Sequence, residues 1–139
     1  MALGGCASAP TFKSNAPAPA VNTARTPVVV GDIDPLVQQE YDNALTLMSV
    51  EDYDGAAQIL QPFVARHAEF PAAATLLAVA LRKTDRVQAA FDIAQQTVAL
   101  YPDYAPALNE VGILHRERGE FEQSEAAYLK AVTVRPDYA

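Results

Sequence analysis

One four-residue segment occurs twice in this chain. Pro102-Asp103-Tyr104-Ala105 recurs as Pro136-Asp137-Tyr138-Ala139, at a spacing of 34 residues. Self-similarity at a fixed period of roughly 20 to 50 residues is typical of proteins in which one small structural unit is stacked several times. Blocks of 34 residues that begin at Val37, Pro71 and Ala105 divide most of the chain. The period therefore predicts three stacked copies of a single unit.

Each block carries the pattern of two amphipathic helices. In the second block, apolar residues recur at helical spacing at Leu77 and Leu81, and again at Val87, Phe91 and Val98. A pair of such helices cannot bury its apolar stripes alone, so neighbouring pairs must cover one another. The predicted helices cover residues 35–49, 53–67, 71–83, 86–100, 105–118 and 121–134.

Small and aromatic residues predict how these helices pack. A small residue in the first helix of each block allows the two helices of that block to approach closely; these residues are Ala44, Ala78 and Gly112. We expect Tyr53, Phe121 and Tyr128 to fill the space between neighbouring pairs. Asp34 followed by Pro35 is typical of a helix start, with an N-cap and a proline in the first turn. Acidic residues at the inter-helix turns lie where the dipole of each second helix favours them.

These positions resemble the tetratricopeptide repeat. The third block is the best copy, and its signature residues are Leu108, Val111, Gly112, His115, Gly119, Phe121, Ser124, Tyr128, Ala131 and Pro136. The first block is the poorest, with Glu40 and Asn43 at positions that are normally apolar, as fits a terminal repeat whose outer face meets water. The resemblance implies an all-α fold: a right-handed superhelix of three helix-turn-helix repeats, at about 37–70, 71–104 and 105–138, in a domain of residues 32–139.

Composition argues against catalysis and against several ligands. A net charge of −7 has the wrong sign for neutralising phosphates, so we expect no nucleic-acid partner. One cysteine and two histidines cannot form a disulfide framework, a Cys-rich zinc site or a multi-histidine metal cage within one chain. His115 and Ser124 occupy packing positions of the repeat, and we expect neither Glu117 nor Glu120 to share a helical face with His115. His67 ends a helix, where a cation is favoured. The sequence thus predicts a protein that binds no metal and no cofactor and is not an enzyme.

The N-terminal region differs in composition from the repeats. Residues 1–31 contain no acidic residue, and prolines recur within the Ala-rich stretch 6–31, which predicts a disordered tether. Before it, Leu3-Gly4-Gly5-Cys6 resembles a bacterial lipobox, in which the cysteine thiol receives the lipid. That resemblance implies that Cys6 is lipidated and that residues 1–5 are the remnant of a truncated signal peptide. The alternative is a chance match before a disordered tail, in which case the protein stays in the cytoplasm.

The resemblance to tetratricopeptide repeats also implies a binding surface. In that family a concave groove is lined by the first helix of each repeat, and ligand contacts come from fixed positions along it. Of the residues on those positions, ten are the predicted ligand contacts: Tyr41, Leu45, Met48, Thr75, Val79, Arg82, Lys83, Asn109, Ile113 and Arg116. With an apolar floor and Arg82, Lys83 and Arg116 along one side, the groove would accept an extended or helical peptide of acidic character. The alternative is that these bases are merely solvated helix ends.

Together, these features predict a non-catalytic adaptor. The lipobox resemblance implies an outer-membrane lipoprotein on the periplasmic side, held to the membrane only through its N-terminal lipid, that scaffolds an envelope assembly such as a pilus, a secretion system or a TonB-type system. A soluble cytosolic co-chaperone-like module that binds a peptide in its groove is the alternative. Leu129 and Val132 lack a covering helix at the C-terminal end, which predicts self-association or binding of a partner's helix there. We expect the natural chain to continue beyond Ala139.

Overall fold

The computed structural model describes residues 33–136 and shows six helices, with no strand among these residues. The helices are α1 (Pro35–Ser49), α2 (Tyr53–Arg66), α3 (Pro71–Lys83), α4 (Val87–Leu100), α5 (Ala105–Glu117) and α6 (Phe121–Val134). All six predicted helices are confirmed, and each end lies within one residue of its predicted position. The predicted signal-peptide remnant at 1–5 and tether at 6–31 lie outside the described residues.

The helices form three hairpins that stack in chain order. α1 packs on α2, α3 on α4 and α5 on α6, while α3 also packs on α2 and α5 packs on both α4 and α3. The first helix of each later repeat therefore covers the preceding hairpin. The largest fully buried side chains are Phe63, Leu60, Leu77 and Leu114, which come from all three repeats. This stacking confirms the predicted three-repeat architecture.

A small residue does mark the close approach within each hairpin. Ala44 and Ala78 are both 0% exposed, and a Cβ placed on Gly112 would lie 2.5 Å from Cε1 of Tyr128. The Ser124 hydroxyl donates a 2.8 Å hydrogen bond to the Gly112 carbonyl oxygen across the same contact. The prediction that Tyr128 lies between neighbouring repeats is therefore wrong, because its ring packs on Gly112 inside its own hairpin.

Each hairpin turn has one residue in the left-handed region, always at the same repeat position. These residues are Glu51 (φ 60°), Asp85 (φ 60°) and Gly119 (φ 75°). The predicted N-cap at Asp34 is confirmed, since its carboxylate accepts a 2.8 Å hydrogen bond from the Leu36 backbone N–H. Asp52 caps α2 in the same way through the N–H of Gly55, at 2.9 Å. An acidic side chain thus caps the second helix of the first repeat, whereas no side-chain hydrogen bond caps α4 or α6.

The two ends of the stack differ in exposure. Tyr53, at the start of α2, is half-buried, and Nζ of Lys83 from the next repeat lies 6.0 Å from its ring centroid. Phe121 occupies the same position of the third repeat and is 68% exposed. The prediction that Phe121 fills an inter-repeat space is wrong, because no later repeat covers it within residues 33–136.

Candidate peptide-binding face

The first helices α1, α3 and α5 present three aliphatic side chains at one repeat position. Leu45 is 38% exposed, and Val79 and Ile113 are half-buried. They follow one another at intervals of 34 residues, so each stands on the same face of its helix. The ten predicted binding residues surround this row, and we call them the first-helix face.

At the N-terminal end of the first-helix face, Tyr41 takes part in a small apolar pocket. Its ring centroid lies 6.0 Å from that of Phe63. Burial, and to a smaller extent the charge of Asp42, raises the pKa of the Tyr41 phenol. Tyr41 also borders a cavity of about 200 Å³ together with Val37 and Phe70. This pocket has the size and polarity to hold one apolar side chain.

Two residues of the predicted set are turned toward the protein itself. Thr75 is buried, and its hydroxyl donates a 2.8 Å hydrogen bond to the carbonyl oxygen of Pro71 within α3. Met48 is half-buried and packs against the main hydrophobic core. Neither side chain offers a free polar group to a ligand.

Arg82 is also engaged, in an ion pair that sequence reasoning missed. Its Nε lies 2.6 Å from Oε1 of Glu110, and its Nη1 lies 3.2 Å from Oε1 of Glu117. The side chains of Arg82 and Glu110 are only 14% and 4% exposed. Burial lowers the pKa of the Arg82 guanidinium, but its hydrogen bonds and charge interactions with the two carboxylates outweigh that effect and raise the pKa overall. Arg82 therefore joins α3 to α5 and is not free for a ligand.

The remaining polar residues of the first-helix face are available. Lys83 is exposed and lies over the ring of Tyr53, while Asn109 is half-buried and makes no side-chain hydrogen bond within residues 33–136. Arg116 is exposed and has no ion pair in the described part of the chain. It borders a shallow cavity with residues of α6, at the C-terminal end of the stack. Of the three predicted bases, Lys83 and Arg116 thus have no ion pair within residues 33–136.

His115 has a carboxylate partner that we did not expect. Its Nδ1 lies 2.6 Å from Oε2 of Glu120, because the left-handed turn at Gly119 folds the start of α6 back beside the end of α5. Glu120 lies outside α5 and so shares no helical face with His115, but the turn brings its carboxylate to the ring. The His115 ring nevertheless packs edge-on against Phe91, with centroids 4.9 Å apart, as a packing residue would.

The other groups weighed for catalysis are bound into the fold. His67 packs against Phe63 and Phe70 at the end of α2, and Ser124 donates its hydroxyl to Gly112. Cys6 lies outside the described residues. Within residues 33–136 no group of three or more metal-ligating side chains occurs. Over the same residues, no helix combines the length and the hydropathy of a membrane span.

A second, larger concavity lies away from the first-helix face. It has a volume of about 640 Å³ and runs between α2 and α4 over α3, with Leu77 and Leu81 in its lining. None of the ten predicted residues borders it. Arg86 at its edge is already paired with Asp54, at 2.8 Å.

Known structures share this arrangement of helices. A crystal structure of MamA is 27% identical in sequence, with a TM-score of 0.67, and the match covers 73% of this chain and 60% of that one. The type III secretion translocator chaperone SycD of Yersinia enterocolitica is 11% identical over 76% of this chain and 80% of its own, with a TM-score of 0.70. YrrB, a TPR protein with an unusual peptide-binding site, is 19% identical over 73% of this chain and 53% of its own, with a TM-score of 0.67.

Comparison of the sequence gives one match, to a protein family. No curated protein sequence matches this chain. Residues 41–105 match the tetratricopeptide-repeat family, and this segment runs from α1 to the start of α5. This chain spans 60% of the length of the MamA chain that it matches. Residues 41–105 thus match the tetratricopeptide-repeat family, and the three stacked hairpins have the fold of the solved structures above.

Proposed function

We propose that this protein is a non-catalytic adaptor that binds a peptide segment of a partner protein on its first-helix face. The observation that carries the proposal is the aligned row of Leu45, Val79 and Ile113, which lies beside the free amide of Asn109 and the exposed Lys83. An aliphatic row gives a peptide's side chains apolar surface to bury, and the amide can fix its backbone through hydrogen bonds. The peptide-binding site of YrrB, whose helices are arranged in the same way, supports the use of this fold for such a task.

The structure narrows the chemistry of the ligand. Arg82 already has two carboxylate partners, so the basic side of the face is reduced to Lys83 near its middle and Arg116 at its end. A ligand therefore needs one acidic group placed near Lys83, not a run of them. We propose a short extended or helical peptide with apolar side chains over the aliphatic row and a single carboxylate beside Lys83.

A displayed library of random peptides provides the probe for this proposal. Peptides selected on the parent protein should share apolar residues and one Asp or Glu, and their affinity should be measured by fluorescence anisotropy. Val79→Asp places a charge in the aliphatic row, and Lys83→Glu reverses the free base. We expect each to weaken binding by at least about tenfold, since like charges and lost apolar burial both oppose the complex.

Lys130→Glu is the matched control for this experiment, because Lys130 is exposed on α6 and has no ion pair within residues 33–136. It carries the same change of charge away from the face and should leave the affinity unchanged. Circular dichroism must show that every variant keeps its helices. Selected peptides that bind all three variants equally well would contradict the proposed face.

We further propose that the adaptor is a lipoprotein of the outer membrane, anchored on its periplasmic side through Cys6 and serving an envelope assembly. The support is the run Leu3-Gly4-Gly5-Cys6 followed by an Ala- and Pro-rich stretch of the length a tether requires. Expressed behind a complete lipoprotein leader in a Gram-negative host, the protein should fractionate with the outer membrane. Cys6→Ser should release it or leave it unprocessed, because stable anchoring needs the acyl chains. An unchanged partition of Cys6→Ser would favour the soluble cytosolic alternative.

A further inference from the structure

The C-terminal end of the stack carries an exposed apolar surface. Phe121 is 68% exposed, Leu129 61% and Val132 46%, and all three border one shallow cavity of about 320 Å³. Single exposed apolar residues are ordinary, but a contiguous group marks a contact surface. We define the C-terminal face as Arg116, Phe121, Glu125, Tyr128, Leu129 and Val132, all of which border this cavity.

In the first two repeats, the residue at the position of Glu125 faces the first helix of the following repeat. Phe91 stands there in the second repeat and packs on His115 of α5, while Ala57 stands there in the first repeat and is 1% exposed. A helix placed on α6 as α5 is placed on α4 would cover the carboxylate of Glu125. Burial of a carboxylate without a partner is strongly unfavourable. The C-terminal face is therefore poorly suited to another repeat stacked in the same way.

Leu129 gives a second reason to expect a different contact. Gln61 and Gln95 hold its position in the first two repeats, and both are exposed although a later repeat follows each of them. This position thus lies outside the surface that repeat stacking covers. In the third repeat alone it carries a large apolar side chain. The C-terminal face consequently extends beyond a normal inter-repeat contact.

The N-terminal end of a second molecule is poorly suited to cover the C-terminal face. α3 buries Ala73, Ala74 and Leu77 against the preceding hairpin, whereas α1 has Gln39, Glu40 and Asn43 at those positions. Both Gln39 and Asn43 are exposed, and Glu40 is held in an ion pair with Arg66. A head-to-tail chain of molecules would place these polar groups against Val132, whose equivalents Val64 and Val98 pack on the core, so we exclude it.

The charges on the C-terminal face complement each other between two copies. Arg116 and Glu125 are both exposed, and neither side chain makes a hydrogen bond or an ion pair within residues 33–136. A two-fold axis brings the same patch of two molecules together, so a pair between the base of one copy and the acid of the other forms twice. We propose that the C-terminal face is a homodimer interface, in which two copies bury Phe121, Leu129 and Val132 and pair Arg116 of one with Glu125 of the other.

Sedimentation velocity of the 139-residue chain over a wide concentration range tests this proposal. We expect a reversible monomer–dimer equilibrium with no larger species, because a two-fold contact closes on itself. Leu129→Gln installs the residue that the first two repeats carry at this position and should shift the equilibrium to monomer without loss of helix. Leu36→Gln changes a residue that is 77% exposed on α1 and should leave the dimer intact.

Charge exchange tests the pairing itself. Arg116→Glu and Glu125→Arg should each weaken the dimer by at least about tenfold, because each change puts like charges together at both copies of the pair. An equimolar mixture of the two variants should recover a heterodimer, since every pair is then opposite in sign. A monomeric parent protein, a dimer insensitive to Leu129→Gln, or a mixture that stays monomeric would each overturn the proposal. The first-helix face is tested at other residues, so the two proposals fail independently.

Discussion

The two junctions between repeats are built from opposite chemistry at the same repeat positions. Between the first and second repeats, Met48 and Leu76 are half-buried and pack against the main core. Between the second and third repeats, the same two positions hold Arg82 and Glu110, joined by a 2.6 Å ion pair. The hairpins stack in the same way at both places. Small residues at the helix contacts thus fix the stacking, and different side chains can complete the junction.

The comparison also explains which predicted binding residues are free. Met48, Arg82 and Arg116 share one repeat position that the family resemblance assigns to the ligand. Met48 packs into the core, Arg82 is bound by two carboxylates, and only Arg116 has no such neighbour in the described residues. In this chain the side chain at this position therefore takes part in the contact between repeats wherever a later repeat lies within residues 33–136.

The largest effect should come from breaking the second junction on one side only. Arg82→Met leaves the carboxylate of Glu110, which is 4% exposed, without its partner. Removing one member of a buried ion pair typically costs about 3–5 kcal/mol of folding free energy. Urea denaturation followed by circular dichroism measures the loss. Arg86→Met is the control, because its pair with Asp54 is exposed and such pairs contribute about 1 kcal/mol or less.

A smaller effect should follow from changing the close helix contact inside the third hairpin, which α5 brings to the second junction. Gly112→Leu would force a side chain into the ring of Tyr128, and overpacking of this kind costs about 1–3 kcal/mol and sometimes more. Gly112→Leu combined with Tyr128→Ala makes room by removing the ring, as in the second repeat, where Ala78 and Ala94 hold the two equivalent positions. We expect the double variant to regain part of the lost unfolding free energy, as measured by urea denaturation. An unchanged midpoint for Gly112→Leu alone would show that the helix contact is wrongly assigned.

The smallest effect concerns the hairpin turns. Gly119 has a φ of 75° with open space around its Cβ position, so Gly119→Ala adds backbone strain alone and should cost about 1 kcal/mol. Asp85 has a φ of 60° in the equivalent turn of the second repeat. Asp85→Gly should therefore raise the thermal midpoint while Gly119→Ala lowers it. Shifts of the same sign would show that the two turns are not equivalent.

Much of the fold followed from the sequence because its signals are local and repeated. The period of 34, the N-cap at Asp34 and the proline and glycine at helix ends placed six helices to within one residue. The side-chain pairings were missed because they cross turns or repeats. His115 meets Glu120 only through the turn at Gly119, where helical spacing no longer applies.

The prediction of the first-helix face was incomplete for the same reason, because the sequence does not show which side chains meet across repeats. Glu110 was missed because its position holds Asp42 and Leu76 in the other blocks, so the repeat gives no common chemistry there. Aligning the blocks does place an acid, Glu110, on the first helix of the repeat after that of Arg82, and this was the one available signal for the pair. The assignment of Leu45, Val79 and Ile113 needed only the period, and their role in binding stays a prediction. Cys6 lies outside the described residues.

The claim that the two junctions are interchangeable is tested most directly by rebuilding the second junction as a copy of the first. Arg82→Met combined with Glu110→Leu places the residues of Met48 and Leu76 at the equivalent positions, and urea denaturation gives its unfolding free energy beside the parent and both single variants. Replacing a buried ion pair by apolar residues of similar size is often neutral or stabilising, so the double variant should unfold within about 1 kcal/mol of the parent or above it. A double variant as unstable as Arg82→Met alone would show that the two junctions are not interchangeable.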